Sequence, residues 1–393
     1  MKHLPRHLLY ATSARLGGSG LDAVALESVR AAQQGGFLGR AIAFDTRRSA
    51  LPESRVRSLR WHPVRLLSWL ESEYYYGAKK HAVDAVSARE LERGEPPYDL
   101  FHGWSGDCVA TLRAARRLGI PSVLEIPTWH RHKGKDKPAR LTKSERERAA
   151  ARGWQRWKNN RLITRQQMLE EYDLADLILV LSQKAEETFL AAGVPAEKLF
   201  RHQRGVDTAR FSPAPQRPEI FRAVFVGALI RRKGVHHLLE VWKRLALPDS
   251  ELVLAGTAHP EIERWLRDAG PSVKVLGFVP RVEEIYRSAA VHIFPSTCEG
   301  SAKSTYEAAA CGLPQITTRE SGDVVLDQIN GLLIPPDAPD ALAEAILRLH
   351  RDRPLGERLG AAGRERAVAN FTWDHFRERL LEAYEQVLSG RAK

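Results

Sequence analysis

Short apolar runs alternate with longer stretches of helical periodicity along the whole chain. We predict strands in the first half at 7–12, 40–45, 99–104, 121–126 and 176–182, and in the second half at 222–227, 251–256, 273–278, 291–296, 314–318 and 331–335. Strands separated by helices are typical of βαβ units and mostly parallel sheets. The pattern therefore predicts an α/β chain made of two Rossmann-like, doubly wound domains.

The stretch GVDTARFSPAPQRP, residues 205–218, contains three prolines and no apolar period, which predicts a linker. A length of 393 residues favours two domains over one core. We expect an N-terminal domain over 1–204 and a C-terminal domain over 219–370. The last segment, 371–393, has the three- and four-residue apolar spacing of an amphipathic helix, and we expect it to pack back across the domain seam.

Composition narrows the class of protein. The chain is 43% hydrophobic and 27% charged, and no apolar stretch approaches the ~20 residues of a membrane span. The basic start is followed by an apolar run that fits a first strand better than a signal peptide, so we expect a cytoplasmic protein. Cys108, Cys298 and Cys311 lack ligand spacing, which indicates neither disulfides nor a metal site.

The net charge of +12 is concentrated in one segment. Residues 129–167 hold 13 Lys or Arg against 3 Asp or Glu, which gives +10. Such a segment could attract an anionic membrane surface at the inner face of a cell, a phosphorylated acceptor or nucleic acid, or be a solvated pair of helices. We see no nucleic-acid recognition motif. The aromatic stretch 61–80 also has several interpretations. It could line an acceptor groove, contact a membrane or form the packed face of a helix.

The sharpest chemical signal is the segment 295–314, PSTCEGSAKSTYEAAACGLP. It predicts a strand end, a turn, a helix and a stop. The backbone amides of Gly300, Ser301, Ala302 and Lys303 can face an anion or sugar hydroxyls at the helix start. Glu307, one turn in, can accept a ribose diol, and Glu299 at the mouth can hold a hexose.

This segment is similar to the Glu-x7-Glu region of the family 4 glycosyltransferases, which are retaining enzymes of the GT-B fold. FPS before it, EAAACGLP at its end and SGDVV and NGLLIP after it match in the same order. The resemblance implies two domains facing across a cleft, with the nucleotide sugar held mainly by the C-terminal one. It assigns the nucleotide ribose to Glu307 and the donor hexose to Glu299.

A second element is FVGALIRRKGV, residues 225–235, a strand followed by a basic turn. Arg231 and Lys233 can neutralise a diphosphate and stabilise the charge that develops on a leaving nucleotide. Gly227 opens the same turn. Family members often carry GRL where this chain has Gly227-Ala228-Leu229, so the pairing of Arg231 with Lys233 is our own assignment.

Two features of the N-terminal half are weaker. Gly18, in the turn 17–20 after the first strand, can bring its amide close to a diphosphate or acceptor oxygen, although a glycine pair there is also an ordinary turn. Relatives often have a histidine after a later strand that contacts the transferred sugar. His130 is our candidate and His102 the reserve.

The resemblance implies a metal-independent hexosyltransferase that moves a sugar from a UDP- or GDP-sugar, with no covalently bound cofactor. The acceptor would be a carbohydrate, a lipid-linked glycan or a small molecule, as in polysaccharide biosynthesis. The alternative is an inactive domain of the same fold that binds a glycan or an anionic surface.

Overall fold

A computed structural model of the protein describes residues 4–18, 20–46, 51–131, 147–148, 150–216 and 218–390. They form two compact units. The first unit contains Met1–Val180, Glu186–His202 and Arg377–Lys393, and the second contains Leu181–Ala185 and Gln203–Phe376. The segment 205–218 belongs to the second unit in this division. The domain limits expected from the sequence stay a prediction.

The first unit is built on a seven-stranded sheet in which every neighbouring pair is parallel. Its strands follow in chain order: β1 Leu8–Leu16, β2 Leu38–Thr46, β3 Val56–Ser58, β4 Leu100–Trp104, β5 Ser122–Glu125, β6 Leu177–Val180 and β7 Leu199–Arg201. They are arranged as β3-β2-β1-β4-β5-β6-β7. The chain therefore winds outward in both directions from β1 and β4, as in a Rossmann-like domain.

Helices connect these strands. They are Leu21–Gln34, Ser72–Arg93, Val109–Leu118, Gly153–Asn159, Arg165–Leu174 and Gln183–Leu190. The helix Trp373–Gly390 ends the described chain, and its larger part belongs to this unit. Within the core, the Tyr384 hydroxyl of that helix lies 2.8 Å from Nδ1 of His102 on β4. The unit is therefore completed by residues from the far end of the sequence.

The second unit repeats the same topology with six strands. They are β8 Phe221–Val226, β9 Ser250–Ala255, β10 Val273–Gly277, β11 Val291–Phe294, β12 Gln315–Thr317 and β13 Leu332–Leu333. They are arranged as β10-β9-β8-β11-β12-β13, again with all pairs parallel. The helices are Val235–Leu245, Glu263–Arg267, Val282–Arg287, Lys303–Ala310, Pro339–Arg351 and Arg353–Asn370. Phe225 and Phe294 stack at the centre of the sheet, with ring centroids 5.3 Å apart.

The predicted α/β class with two Rossmann-like domains is confirmed. Every predicted strand overlaps an observed one, and the periodic C-terminal segment forms a helix. Strands β3 and β7 were not predicted, because each has three residues at a sheet edge and too few apolar positions to show a period. Among the described residues, no helix has both the length and the apolar character needed to cross a bilayer.

Candidate active site

The strand order in the sheet of the second unit indicates where a ligand would bind. In doubly wound sheets, ligands bind outside the carboxyl ends of the strands, where the winding direction reverses. That point lies between β8 and β11. The turn starting at Gly227 leaves β8, and the loop starting at Pro295 leaves β11. These are the two segments that the sequence singled out.

Gly234 allows the two loops to meet. It adopts φ 73° at the start of the helix Val235–Leu245, and a Cβ there would lie 2.1 Å from the carbonyl oxygen of Pro295. Only glycine tolerates both conditions. The Thr297 amide then donates to the Arg232 carbonyl at 2.9 Å. The basic turn and the Glu299 loop are therefore fixed against each other by backbone contacts.

Glu299 lies between two cations. Its Oε1 is 2.8 Å from Nζ of Lys233 and 2.9 Å from Nη1 of Arg232, and its amide donates to the carbonyl of Glu320 at 2.9 Å. The Lys233 and Glu299 side chains are mostly buried, whereas Arg232 is partly exposed. One carboxylate against two cations leaves an excess positive charge, which favours an anionic ligand.

The structure does not bring Arg231 to this cluster. Its amide donates to Glu261 at 3.0 Å, and its guanidinium lies 5.6 Å from the ring centroid of Trp265. Arg232, which the sequence analysis passed over, occupies the place beside Lys233. The run RRK signals basic character, but only the 3-10 turn Arg231–Lys233 determines which arginine faces Glu299.

The start of the helix Lys303–Ala310 offers unpaired amides. Within the described residues, no acceptor bonds to the amides of Gly300, Ser301 or Lys303. The amide of Ala302 is different, because it donates to the Ser321 carbonyl at 2.8 Å. The Ala302 amide is therefore already paired with a second loop, and its assignment to ligand binding stays a prediction.

Glu307 is buried on the same helix. Its Oε2 accepts a hydrogen bond from the Tyr286 hydroxyl at 3.0 Å, and its Oε1 lies 2.7 Å from Nζ of Lys303. Burial, together with the charge of Glu307, raises the pKa of Tyr286 well above its usual value, so the hydroxyl remains a donor. Each carboxylate oxygen has a second lone pair, so the group keeps the capacity to accept a diol.

Glu320 is a further candidate site residue, which the sequence did not indicate. It follows β12 in the short 3-10 turn Arg319–Ser321, and its Oε2 is buried without a hydrogen-bond partner among the described residues. An unpaired buried carboxylate oxygen is costly unless a ligand completes it. Its position after a strand end was the available signal, but β12 spans only three residues and the turn lacks a glycine pattern.

The histidine candidates of the first unit are packed. His130 is buried against the rings of Tyr172 and Phe189, at centroid distances of 5.0 and 4.9 Å, and its amide donates to Thr188 at 3.0 Å. His102 is completely buried on β4. The catalytic role assigned to His130 stays a prediction.

Gly18 lies in a tight turn. A Cβ on Gly18 would be 2.1 Å from Oδ2 of Asp22, so the close approach of this carboxylate already requires glycine. The Asp22 Oδ1 accepts the amide of Arg15 at 3.0 Å. Ser19 lies outside the described residues. The assignment of Gly18 to ligand binding remains a prediction beside this structural reason.

A second cluster, unforeseen in the sequence, lies where β1 and β4 end. Asp107 accepts the Ser13 amide at 2.6 Å and forms an ion pair with Lys80. Glu171 accepts the amides of Gly106 at 2.6 Å and Cys108 at 3.1 Å. Burial is the main cause that raises the pKa of Glu171 to about 7. The two amide hydrogen bonds act in the opposite direction, and the charge of Asp107 raises the pKa further.

Lys79 is adjacent to this cluster and differs from Lys80. In the described structure its ammonium group has no hydrogen bond or ion pair, and it lies 5.1 to 5.3 Å from the ring centroids of Phe44, Tyr75 and Tyr76. Burial, then the charges of Arg65, Lys80 and Arg15, lower its pKa. An anion beside Lys79 would relieve that repulsion.

Comparisons with known proteins identify the family and the fold. The family described as Glycosyltransferase Family 4 matches residues 20–210, and Glycosyl transferases group 1 matches residues 221–352. The chain belongs to the family 4 glycosyltransferases. The second match contains the whole β8 to β12 region, and hence every residue of the cluster around Glu299.

Relatives of this family 4 glycosyltransferase include the alpha-maltose-1-phosphate synthase of Mycolicibacterium smegmatis, 29% identical over 256 residues. That alignment covers 55% of this chain and 64% of the synthase, so the chain spans less than two thirds of the length of this relative.

Two solved structures share its fold. Sucrose-phosphate synthase from Thermosynechococcus elongatus has a TM-score of 0.71 and 22% identity, covering 98% of this chain and 100% of the synthase. Anabaena HepE in complex with UDP-glucose has a TM-score of 0.65 and 18% identity, covering 98% of this chain and 99% of HepE.

Proposed function

We propose that this protein is a retaining hexosyltransferase that moves a hexose from a nucleoside-diphosphate sugar to an acceptor hydroxyl in glycan or glycoconjugate synthesis. The observation that carries the proposal is the cluster of Glu299 with Lys233 and Arg232, next to the unpaired amides at 300, 301 and 303. A cationic pocket beside hydrogen-bond acceptors suits a ligand that is anionic at one end and hydroxylated at the other.

We assign each part of the donor to residues of the second unit. Lys233 and Arg232 face the diphosphate, Glu307 accepts the ribose diol, and Glu299 with Glu320 accepts hexose hydroxyls. Arg231 is left as an outer cation. The unpaired amides and the helix start add partial positive charge near the phosphates.

The reaction breaks the bond from the anomeric carbon to the phosphate oxygen and forms the bond to the acceptor oxygen on the same face. The acceptor proton passes to an oxygen of the departing phosphate, which gains charge as its bond to the sugar breaks. Lys233 and Arg232 stabilise that charge, and their fixed positions lower the barrier without reorganisation during the reaction. No protein base and no metal is required by this scheme.

A UDP-sugar is the first donor to test, because HepE was solved with UDP-glucose. A GDP-sugar is the alternative. For the acceptor we propose the carboxyl edge of the first unit, where Lys79 is a cation without an anionic partner in the described structure. That edge fits an acceptor bearing a carboxylate or phosphate, whether it is a carbohydrate, a lipid-linked glycan or a small metabolite.

Thermal shift with UDP, GDP, ADP and their common sugars tests the donor site, because a ligand of the native state raises its melting temperature. We expect one nucleotide to stabilise the protein. Glu307→Ala should weaken that nucleotide about ten- to a hundredfold, since a hydrogen bond to a charged group contributes ~1.5–3 kcal/mol. Glu344→Ala, an exposed glutamate of the same unit, is the matched control.

Release of nucleoside diphosphate from the stabilising sugar nucleotide then separates the enzyme from its alternative, an inactive domain that binds a glycan or an anionic surface. Turnover that falls at least about a hundredfold in Lys233→Met supports the transferase. Binding of a glycan with no response to any sugar nucleotide would favour the inactive domain.

A further inference from the structure

Two segments of the first unit expose large hydrophobic side chains. In residues 61–69, Trp61 is 89% exposed, Leu66 is 77% exposed and Trp69 is 63% exposed. In the helix Gly153–Asn159, Trp154 is 56% exposed. Isolated exposed apolar residues are ordinary, whereas contiguous ones mark contact sites.

The two segments meet through their rings. Trp69 stacks on Trp154 with centroids 5.8 Å apart and planes at 7°, and Trp154 stacks on Trp157 at 4.3 Å. The guanidinium of Arg161 lies 3.2 Å from the Trp157 centroid. We call Trp61, Leu66, Trp69, Trp154 and Trp157 the tryptophan surface.

The helix Gly153–Asn159 has no buried residue, although it contains two tryptophans. A surface helix normally buries its apolar face against the core. This one is attached by polar contacts: the Gln155 amide donates to the Tyr74 hydroxyl at 3.0 Å, and Lys158 lies 2.7 Å from Glu71. The protein therefore fixes the helix without using its aromatic side chains for packing.

The surroundings of the tryptophan surface carry more cations than acids. In the described residues of 60–73 and 147–161, the acids are Glu71, Glu73 and Glu147, and Glu71 pairs with Lys158. The cations of the same stretches are Arg60, Arg65, Arg148, Arg152, Arg156, Lys158 and Arg161. Tryptophan suits the boundary between water and lipid, and clustered Lys and Arg are attracted to anionic headgroups. Apolar side chains within a basic rim are the combination found on proteins that rest on membranes.

We propose that the tryptophan surface docks this protein on an anionic membrane. This goes beyond the proposed sugar transfer, which a dissolved acceptor would also allow. Leu66 argues for lipid over a glycan or a nucleic acid, because it has no ring on which a sugar or a base could stack. Trp154 argues the same way, since its two neighbours Trp69 and Trp157 already stack against it.

Flotation with phosphatidylcholine vesicles, with and without phosphatidylglycerol, tests the proposal on the full chain. We expect flotation only with the anionic vesicles, and weaker flotation as salt is raised. Trp69→Ala with Trp154→Ala should lower the partition coefficient at least about tenfold, because two side chains that would enter the membrane interface are lost. Phe278→Ala with Ile329→Ala, which removes comparably exposed hydrophobic residues of the second unit, should float like the wild type.

A measurement on the unmodified protein guards against misfolded variants. Phosphatidylglycerol with brominated acyl chains quenches tryptophans that enter the hydrocarbon boundary, and we expect quenching of the wild type and little of the double variant. Equal flotation of the double variant and the wild type would overturn the proposal. Equal flotation with and without phosphatidylglycerol would overturn it as well. So would a double variant that loses binding to a glycan or an oligonucleotide while its binding to vesicles is unchanged.

Discussion

At the scale of single residues, position within a turn decides which charge can act. Arg231 and Arg232 are neighbours of the same type, but the first lies near Glu261 and Trp265 and the second lies beside Glu299. A sequence pattern reports that a turn is basic. The direction of each side chain depends on the backbone of the turn, which here includes Gly234 in a left-handed conformation.

We expect Lys233→Met to lower kcat/KM about a hundred- to a thousandfold, because a fixed donor to developing charge contributes roughly 3–4 kcal/mol. Arg231→Met should cost less than about tenfold, since its side chain lies over Trp265. Steady-state kinetics with saturating acceptor measure both. An Arg231 variant as impaired as the Lys233 variant would show that Arg231 reaches the diphosphate after all.

Tyr384→Phe removes the hydroxyl that pairs with Nδ1 of buried His102. Because an unsatisfied buried polar group costs ~1–3 kcal/mol, we expect a lower free energy of unfolding in urea by that amount. Tyr76→Phe, at an exposed position, should stay within about 0.5 kcal/mol of the wild type. An unchanged free energy of unfolding in Tyr384→Phe would mean that water or another group replaces the hydroxyl.

At the scale of elements, the helix Val109–Leu118 begins without a side-chain cap from its own Ncap residue. Glu171, from the helix Arg165–Leu174, accepts the Gly106 and Cys108 amides in the loop that leads into it. This contact spans more than sixty residues of sequence. Local capping signals could not reveal it, because they rely on residues within one turn of the helix start.

The raised pKa of Glu171 makes stability depend on pH. With a pKa of about 7 in the folded state and 4.5 as the ordinary value, the folded chain holds a proton that the unfolded chain has lost between these limits. The contribution of this proton to the free energy of unfolding is therefore complete below pH 4.5. It is lost as the pH rises toward 7, by on the order of 3 kcal/mol.

The effect is measured as the difference in the free energy of unfolding in urea between the wild type and Glu171→Gln. The contributions of other titrating groups are the same in both proteins and cancel in this difference. These groups include His236 and His292, in which burial lowers the pKa to about 4 and which act in the opposite direction. A difference that does not change between pH 4.5 and 7 would show that Glu171 keeps an ordinary pKa.

The sequence predicted the long elements better than the site. Buried strands such as β1 and β8 carry continuous apolar runs, and the loops after β8 and β11 were recognised from their glycines and charges. Glu320 was missed because β12 is short and the turn after it lacks a glycine pattern, and Arg232 was missed because the backbone of its 3-10 turn decides which arginine faces Glu299. Lys79 was missed because Phe44 and the charge of Arg15 come from other segments, which no local period records.

At the scale of the whole molecule, the donor residues discussed above all belong to the second unit. A nucleotide should therefore slow amide hydrogen exchange selectively. We expect protection at 227–235 and 299–307 with the stabilising nucleotide, and none in β10 at the edge of the same sheet. Exchange measured by mass spectrometry with and without that nucleotide, on the wild type and Glu307→Ala, checks this. Protection at β10 instead would place the nucleotide elsewhere.

The division of the chain has a further consequence for its evolution. The Ser182 hydroxyl, encoded within the first half, donates to the carbonyl of Gly300 at 2.6 Å, and the end of the last helix belongs to the first unit. Neither unit is one continuous stretch of the gene. A single crossover between related genes near residue 203 would leave the new C-terminal half with a foreign partner at 182 and the N-terminal half with a foreign final helix. Substrate specificities in such proteins should therefore be recombined more successfully by changing loops than by exchanging halves.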